Sequence, residues 1–344
     1  MIVKKSFLVI ICVFVFISSG FVQTANPGQY KYVFTVAKDG TGDYKNIQDA
    51  IDAMRVFPLA PITLYIKNGV YNEKIQLPSD NTDVTFIGEN VDSTIIIFND
   101  YSGKGKINTF TSYTAKISGN RFMAENITFV NSAGPVGQAV ALYVDADRAV
   151  FKNCKFLGNQ DTMYLGGENS RQYFVDCYIE GTTDFIFGPA TALFERCTIR
   201  CKTNSYITAA NTPKGKKFGF VFLNCKVLAD SSVNKVYLGR PWRAYSNTVF
   251  IRCELPKAIA PEGWNNWANP ENEKTTFYAE YKNTGVGAVI NKRVAWSKQL
   301  TVKEAASYTT KNIFSLESLS VSAGGDWFMN IPDRRFEWPS KNKK

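Results

Sequence analysis

Two aspartates in this chain hold matching places 23 residues apart. Asp161 lies in Gly158-Asn159-Gln160-Asp161-Thr162-Met163-Tyr164, and Asp184 lies in Gly181-Thr182-Thr183-Asp184-Phe185-Ile186-Phe187-Gly188. Cys154 and Cys177 are also 23 residues apart, so both acids occupy equivalent points of a repeating unit. If the units stack as neighbouring strands, about 4.8 Å apart, the carboxyl groups are neighbours too. Two close carboxylates do not both ionise cheaply. One stays protonated as an acid and leaves the other as base or nucleophile. Either aspartate alone would read as a turn residue; the pair in register reads as chemistry. Gln138, in Gly137-Gln138-Ala139-Val140-Ala141-Leu142, lies one unit earlier, and Gln160 adjoins Asp161. Glutamine amides can donate to a developing oxyanion. Arg240, in Leu238-Gly239-Arg240-Pro241-Trp242, is a candidate counter-ion that keeps one aspartate ionised. Trp242, Phe187 and Tyr164 are candidates to stack on sugar rings, with ordinary packing as the competing explanation.

What the chain lacks is equally informative. Its 344 residues include no histidine. A Ser-His-Asp hydrolase, a Cys-His protease and a His-ligated metal centre are thereby excluded. Acid and base work falls to carboxylates, Lys, Tyr or Cys. The formal charge of +10 favours a polyanionic partner: nucleic acid, anionic lipid or acidic polysaccharide. The lysine groups at Lys104/Lys106 and Lys214/Lys216/Lys217 read as solvated surface, so no nucleic-acid partner is expected.

The positioning elements are visible in the repeat itself. Val150-Phe151-Lys152-Asn153-Cys154 recurs in form as Tyr173-Phe174-Val175-Asp176-Cys177, Leu193-Phe194-Glu195-Arg196-Cys197, Val221-Phe222-Leu223-Asn224-Cys225 and Val249-Phe250-Ile251-Arg252-Cys253. Ile127 takes the cysteine's place upstream, and the intervals run 27, 23, 20, 28 and 28 residues. Short alternating runs broken by Gly, Asn and Asp at this period predict an all-β parallel β-helix. The cysteines then read mainly as small core residues in an inward stack. The short interval makes Cys177 and Cys197 the candidate disulfide, with Cys201 a free thiol outside the repeat. Ile47, Ala50, Ile51 and Met54 follow helical spacing and predict a short capping helix over the first coil. Stretches Lys202–Lys217 and Ala258–Lys274 interrupt the period and are expected as long loops on one face.

At the N-terminus, Lys4 and Lys5 precede an apolar run from Phe7 to Ile17, followed by Ser18, Ser19 and Gly20. This is the layout of a secretory signal peptide, and the run is too short for a membrane span. The expected organisation is a signal over 1–25, one catalytic solenoid over 26–330 and a basic, frayed tail over 331–344. The mature chain is expected to be exported, monomeric and free of membrane insertion.

In these motifs the chain resembles the pectin methylesterase family, carbohydrate esterases with a right-handed parallel β-helix. Gly69-Val70-Tyr71-Asn72-Glu73, Gln138 to Leu142, Gly158 to Tyr164, Asp184 to Gly188 and Leu238 to Trp242 carry the resemblance. Val36 to Asp43, Gly263-Trp264-Asn265-Asn266-Trp267, Tyr278 to Tyr281 and Arg293 to Trp296 extend it over about residues 32 to 330. The resemblance implies Asp184 as nucleophile toward a galacturonate methyl ester and Asp161 as general acid, then base. It implies Gln138 and Gln160 for the oxyanion, Arg240 as orienter of the nucleophile, and Thr109, Phe187 and Trp242 as substrate contacts. It implies methyl-esterified pectin as partner and neither metal nor organic cofactor. Asn159 departs from the family, where an aromatic is common, and Leu165 to Ser170 is unusually rich in Gly and polar residues. A β-helix lyase or glycosidase, or a pectin-binding protein without turnover, are the alternatives.

Overall fold

A computed structural model describes residues 30–315, 327–328 and 336–339. The signal segment and most of the C-terminal tail lie outside the described residues. The described residues from Lys31 onward form one compact unit. Among the described residues, strands fall into three parallel sheets of eleven, seven and seven strands. Each coil contributes one strand to each sheet in turn, as in 149–152, 155–157 and 163–165, then 171–175, 178–181 and 186–188. The result is a right-handed parallel β-helix. No described helix is long and apolar enough to cross a membrane.

The recurring Phe-x-x-Cys pattern is the corner between the eleven-stranded sheet and the second sheet. The residue before each inward side chain has left-handed backbone: Asn126, Asn153, Asp176, Arg196, Asn224 and Arg252 have φ between 47° and 59°. Asn and Asp tolerate this region best. Corner residues on neighbouring coils also bond each other. Asn153 Nδ2 donates to Asn126 Oδ1 at 2.7 Å, Arg196 Nε to Asp176 Oδ1 at 2.8 Å, and Arg252 Nε to Asn224 Oδ1 at 2.9 Å.

Behind the corner run two inward ladders. Phe151, Phe174, Phe194, Phe222 and Phe250 stack with centroid steps of 5.0, 4.9, 4.6 and 4.2 Å and planes within 10° of parallel. Truncating a fully buried Phe removes its transfer energy and leaves a cavity, worth about 3–5 kcal/mol. Phe194→Ala is accordingly expected to cost that much in equilibrium urea unfolding. A loss under about 1 kcal/mol would show that the ladder is not a stability element.

The cysteine ladder corrects the disulfide expectation. Cys154, Cys177, Cys197, Cys201, Cys225 and Cys253 are all free and buried. The thiols of Cys177, Cys197 and Cys225 instead donate to the main-chain carbonyls of Phe151, Phe174 and Phe194 on the preceding coil, at 3.3, 3.4 and 3.3 Å. A small side chain with a weak donor suits a corner where a carbonyl faces inward. Burial pushes the Cys154 thiol up to about 12 and raises Cys201 as well, so neither is a poised nucleophile.

The capping helix forms as expected over Ile47–Asp52, with Ile47, Ala50 and Ile51 buried. Glu73 accepts from the amides of Ile47 and Gln48 at 2.9 and 3.1 Å, closing the helix start from another coil. The stretch expected as one loop from Lys202 to Lys217 contains the strand Tyr206–Ala210, so it supplies the third-sheet strand of its coil. Over its later coils the eleven-stranded sheet is apolar on both faces, as buried parallel sheets are. Its outer face, including Leu193, Val221 and Val249, is covered by helices Val302–Ala305 and Thr310–Phe314 through Ala305, Tyr308, Ile313 and Phe314. Within the tail, Phe336 packs edge-on to Tyr65 at 5.7 Å and Lys67 lies over Trp338 at 4.5 Å.

Candidate active site

The site lies on the outer side of the third sheet and the corner that leads into it. Asp161 and Asp184 each stand two residues before a third-sheet strand. Met163 pairs with Ile186, which fixes the two acids side by side on adjacent coils. Both have left-handed backbone, φ 64° and 49°, a conformation Asp accepts. Their amides are tied down: Asp161 N–H donates to Thr183 O at 3.0 Å and Asp184 N–H to Tyr206 O at 2.9 Å. Their exposures are only 8% and 5%.

Arg240 follows the strand Tyr237–Gly239, two coils beyond Asp184. Its Nε donates to Asp184 Oδ1 at 2.9 Å and its Nη2 to Oδ2 at 2.5 Å, a two-pronged ion pair. Asp161 receives no such pair among the described residues. Burial and then the charge of Asp184 push its carboxyl up to about 8, against a smaller opposite pull from Arg240. Burial also raises Asp184, while the Arg240 bond and charge oppose that rise. Arg240 therefore favours ionisation of Asp184 and leaves the proton on Asp161.

Gln138 and Gln160 form a parallel bridge, with Ala139 N–H donating to Gln160 O at 3.1 Å. Both line an open cleft of about 250 Å3 together with Thr109, Phe110, Asp161, Asp184, Phe187, Ala209, Arg240, Trp242 and Trp267. Thr109 reaches the rim on the 3-10 turn Thr109–Thr111, which Asn108 caps by accepting from Phe110 N and Thr111 N. Phe187 is in register with Tyr164 on one side and Ala209 on the other. Tyr164 does not line the cleft. It packs 5.0 Å from both Phe187 and Phe110, and so extends the aromatic wall along the sheet beside Phe187. Trp242 closes that wall, 5.9 Å from Phe187 and 6.5 Å from Phe110.

Three side chains at the site escaped the sequence reading: Phe110, Trp267 and Tyr206. Phe110 adjoins Thr109 in sequence. Trp267 lies in a motif whose role the spacing does not specify. Tyr206 lies in the coil that reads as loop.

Two buried acids of split proton affinity, an arginine bonded to one of them, two glutamines and an aromatic wall thus meet in one cleft on the outside of a β-helix. The Pectinesterase family profile matches residues 33–317, and the chain belongs to that family. A pectinesterase of Arabidopsis thaliana is 38% identical over 284 residues, covering 79% of this chain and 89% of that protein. A probable pectinesterase/pectinesterase inhibitor of the same plant is 40% identical over 302 residues, covering 83% of this chain and 53% of that one. The chain thus spans about half the length of several such relatives. Among solved structures, the pectin methylesterase from carrot superposes with TM-score 0.78 at 35% identity, covering 81% of this chain and 92% of the other. That from Erwinia chrysanthemi gives 0.73 at 30%, covering 83% and 97%.

Proposed function

We propose that the protein hydrolyses methyl esters of pectin, releasing methanol, with Asp184 as nucleophile and Asp161 as general acid and base. The observation that carries this reading is the split pair: Asp184 bonded twice to Arg240, Asp161 buried and held protonated up to about pH 8. The Asp184 carboxylate attacks the ester carbonyl carbon, and the carbonyl oxygen becomes an oxyanion facing the amides of Gln138 and Gln160. Collapse breaks the bond to the methoxy oxygen, which takes the Asp161 proton and leaves as methanol. An acyl-enzyme anhydride remains. Asp161, now a carboxylate, removes a proton from water as it attacks the acyl carbon. Breakdown returns the Asp184 carboxylate, leaves Asp161 protonated and frees a galacturonic acid, which ionises in solution. Thr109, Phe187 and Trp242 hold the sugar. The N-terminal segment directs export, and the net charge, +10 less the two signal lysines Lys4 and Lys5, suits a substrate that grows more acidic with each turnover.

The test is methanol release from methylated pectin across pH, with and without chelator. A bell is expected: activity rises as Asp184 ionises and falls near pH 8 as Asp161 loses its proton. Chain length and chelated rate should both be unchanged. Chain shortening or abolition by chelator would favour a pectin lyase or glycosidase instead, and binding without methanol would favour a non-catalytic pectin-binding protein.

A further inference from the structure

The guanidinium of Arg240 is enclosed on both faces. Its Cζ lies 4.0 Å from the ring centroid of Tyr206 and 3.6 Å from that of Trp267. Only the edge of the cation is left for hydrogen bonds, and that edge faces Asp184. Tyr206 also accepts the Asp184 amide through its main-chain oxygen, at 2.9 Å. One residue therefore holds the nucleophile by its backbone and the counter-ion by its ring. The ring is itself backed by Tyr237, stacked at 5.4 Å and 21°.

We infer that Tyr206 is a positioning residue for the reaction proposed above: its ring and that of Trp267 clamp Arg240 in the plane that pairs with Asp184. The inference rests on that reading for its kinetic part only. Water excluded from both faces strengthens the pull of the cation on Asp184, and the clamp removes the freedom to swing away. Asp184 is also faced by Asp161 on the preceding coil and by buried Tyr278 from the sheet behind, and Lys235 lies over Tyr237 at 5.7 Å. None of these replaces the guanidinium as partner of Asp184.

Tyr206→Val keeps the backbone oxygen and removes the ring. One face of Arg240 becomes wet, its pull on Asp184 weakens, and the buried carboxylate ionises at higher pH. The acidic limb of kcat/KM should move up by about one pH unit, and kcat should fall about tenfold. Tyr206→Phe should match the wild type in both. A second readout needs no turnover. The Nε–H resonance of Arg240, assigned by its absence in Arg240→Lys, should be shifted by the two rings and slow to exchange, and both properties should be lost in Tyr206→Val. If Tyr206→Val does not fold, Trp267→Leu removes the other face from a loop and must shift the limb and the resonance in the same direction. A limb and a resonance unmoved in the folded variant overturn the clamp, as does a Phe variant that falls with Val. A wild type that releases no methanol overturns the reaction instead, and the resonance still decides the clamp.

Discussion

Asp184→Asn is expected to lower kcat by about 10^4-fold or more on methylated pectin, because the amide cannot form the acyl intermediate. The substitution keeps size and shape, and Asn accepts the left-handed backbone at φ 49°. Loss of the negative charge has two further effects. Arg240 keeps its aromatic neighbours but loses its ionic partner, and removing one member of such a pair costs about 3–5 kcal/mol. Asp161 loses the like charge that helps to raise it, while Arg240 still pulls downward, so its carboxyl ionises below its present value of about 8. The variant should bind methylated polymer, melt earlier than wild type and release almost no methanol. Turnover within tenfold of wild type, measured on protein free of wild-type contamination, would remove Asp184 from the nucleophile role.

For Asp161→Asn the kinetic and stability effects should run in opposite directions. Turnover should fall by about 10^2- to 10^4-fold, since the leaving methoxide has no acid and the water no base. The stability effect follows from linkage. The unfolded carboxyl titrates near its ordinary 3.8, and the folded one near 8. Between those values the folded state holds a proton that the unfolded state has released, so wild-type stability falls as pH rises through that window. Asparagine has no proton to lose and escapes this cost. Its melting temperature relative to wild type should therefore climb from pH 4 to pH 8 and level off above. A difference independent of pH would mean that Asp161 is not protonated in the fold, and the acid role would go with it. Such a trade of activity for stability is what a strained reactive group produces.

Much of this was legible in the sequence because a coil corner is chemically demanding. It needs a residue that accepts left-handed backbone, then a small inward one, and the Asn/Asp-Cys pairs repeat that demand openly. The acids were legible because the same interval separates them as separates the corners. Tyr206–Ala210 was hidden because a third-sheet strand is short and its neighbours here, from Lys202 to Lys217, are Lys, Thr and Asn. The cysteines at 177 and 197 are close, as their spacing suggests, and their thiols interact, but both stay free and each also donates to a carbonyl of the preceding coil. The covering helices at 302–314 left a trace in the unbroken apolar run Val249-Phe250-Ile251, since a strand wet on one face would alternate. The roles of Phe110, Trp267 and Tyr206 were not legible, because they are side-chain contacts across coils that no spacing specifies.

The residues of the cleft are delivered one coil at a time: Gln138, then Gln160 and Asp161, then Asp184, then Tyr206 beside it, then Arg240. That makes the solenoid a ruler with a protected middle. Coils can be gained or lost at either end, where stacking alone is at stake. A whole added coil between Asp184 and Arg240 would slide the arginine one strand spacing, about 4.8 Å, away from its aspartate, and one between Gln138 and Asp184 would part the glutamines and Asp161 from Asp184 in the same way. Lineages that lengthen this architecture should therefore do so outside that window, and tolerate within it only loops that leave the coil count unchanged.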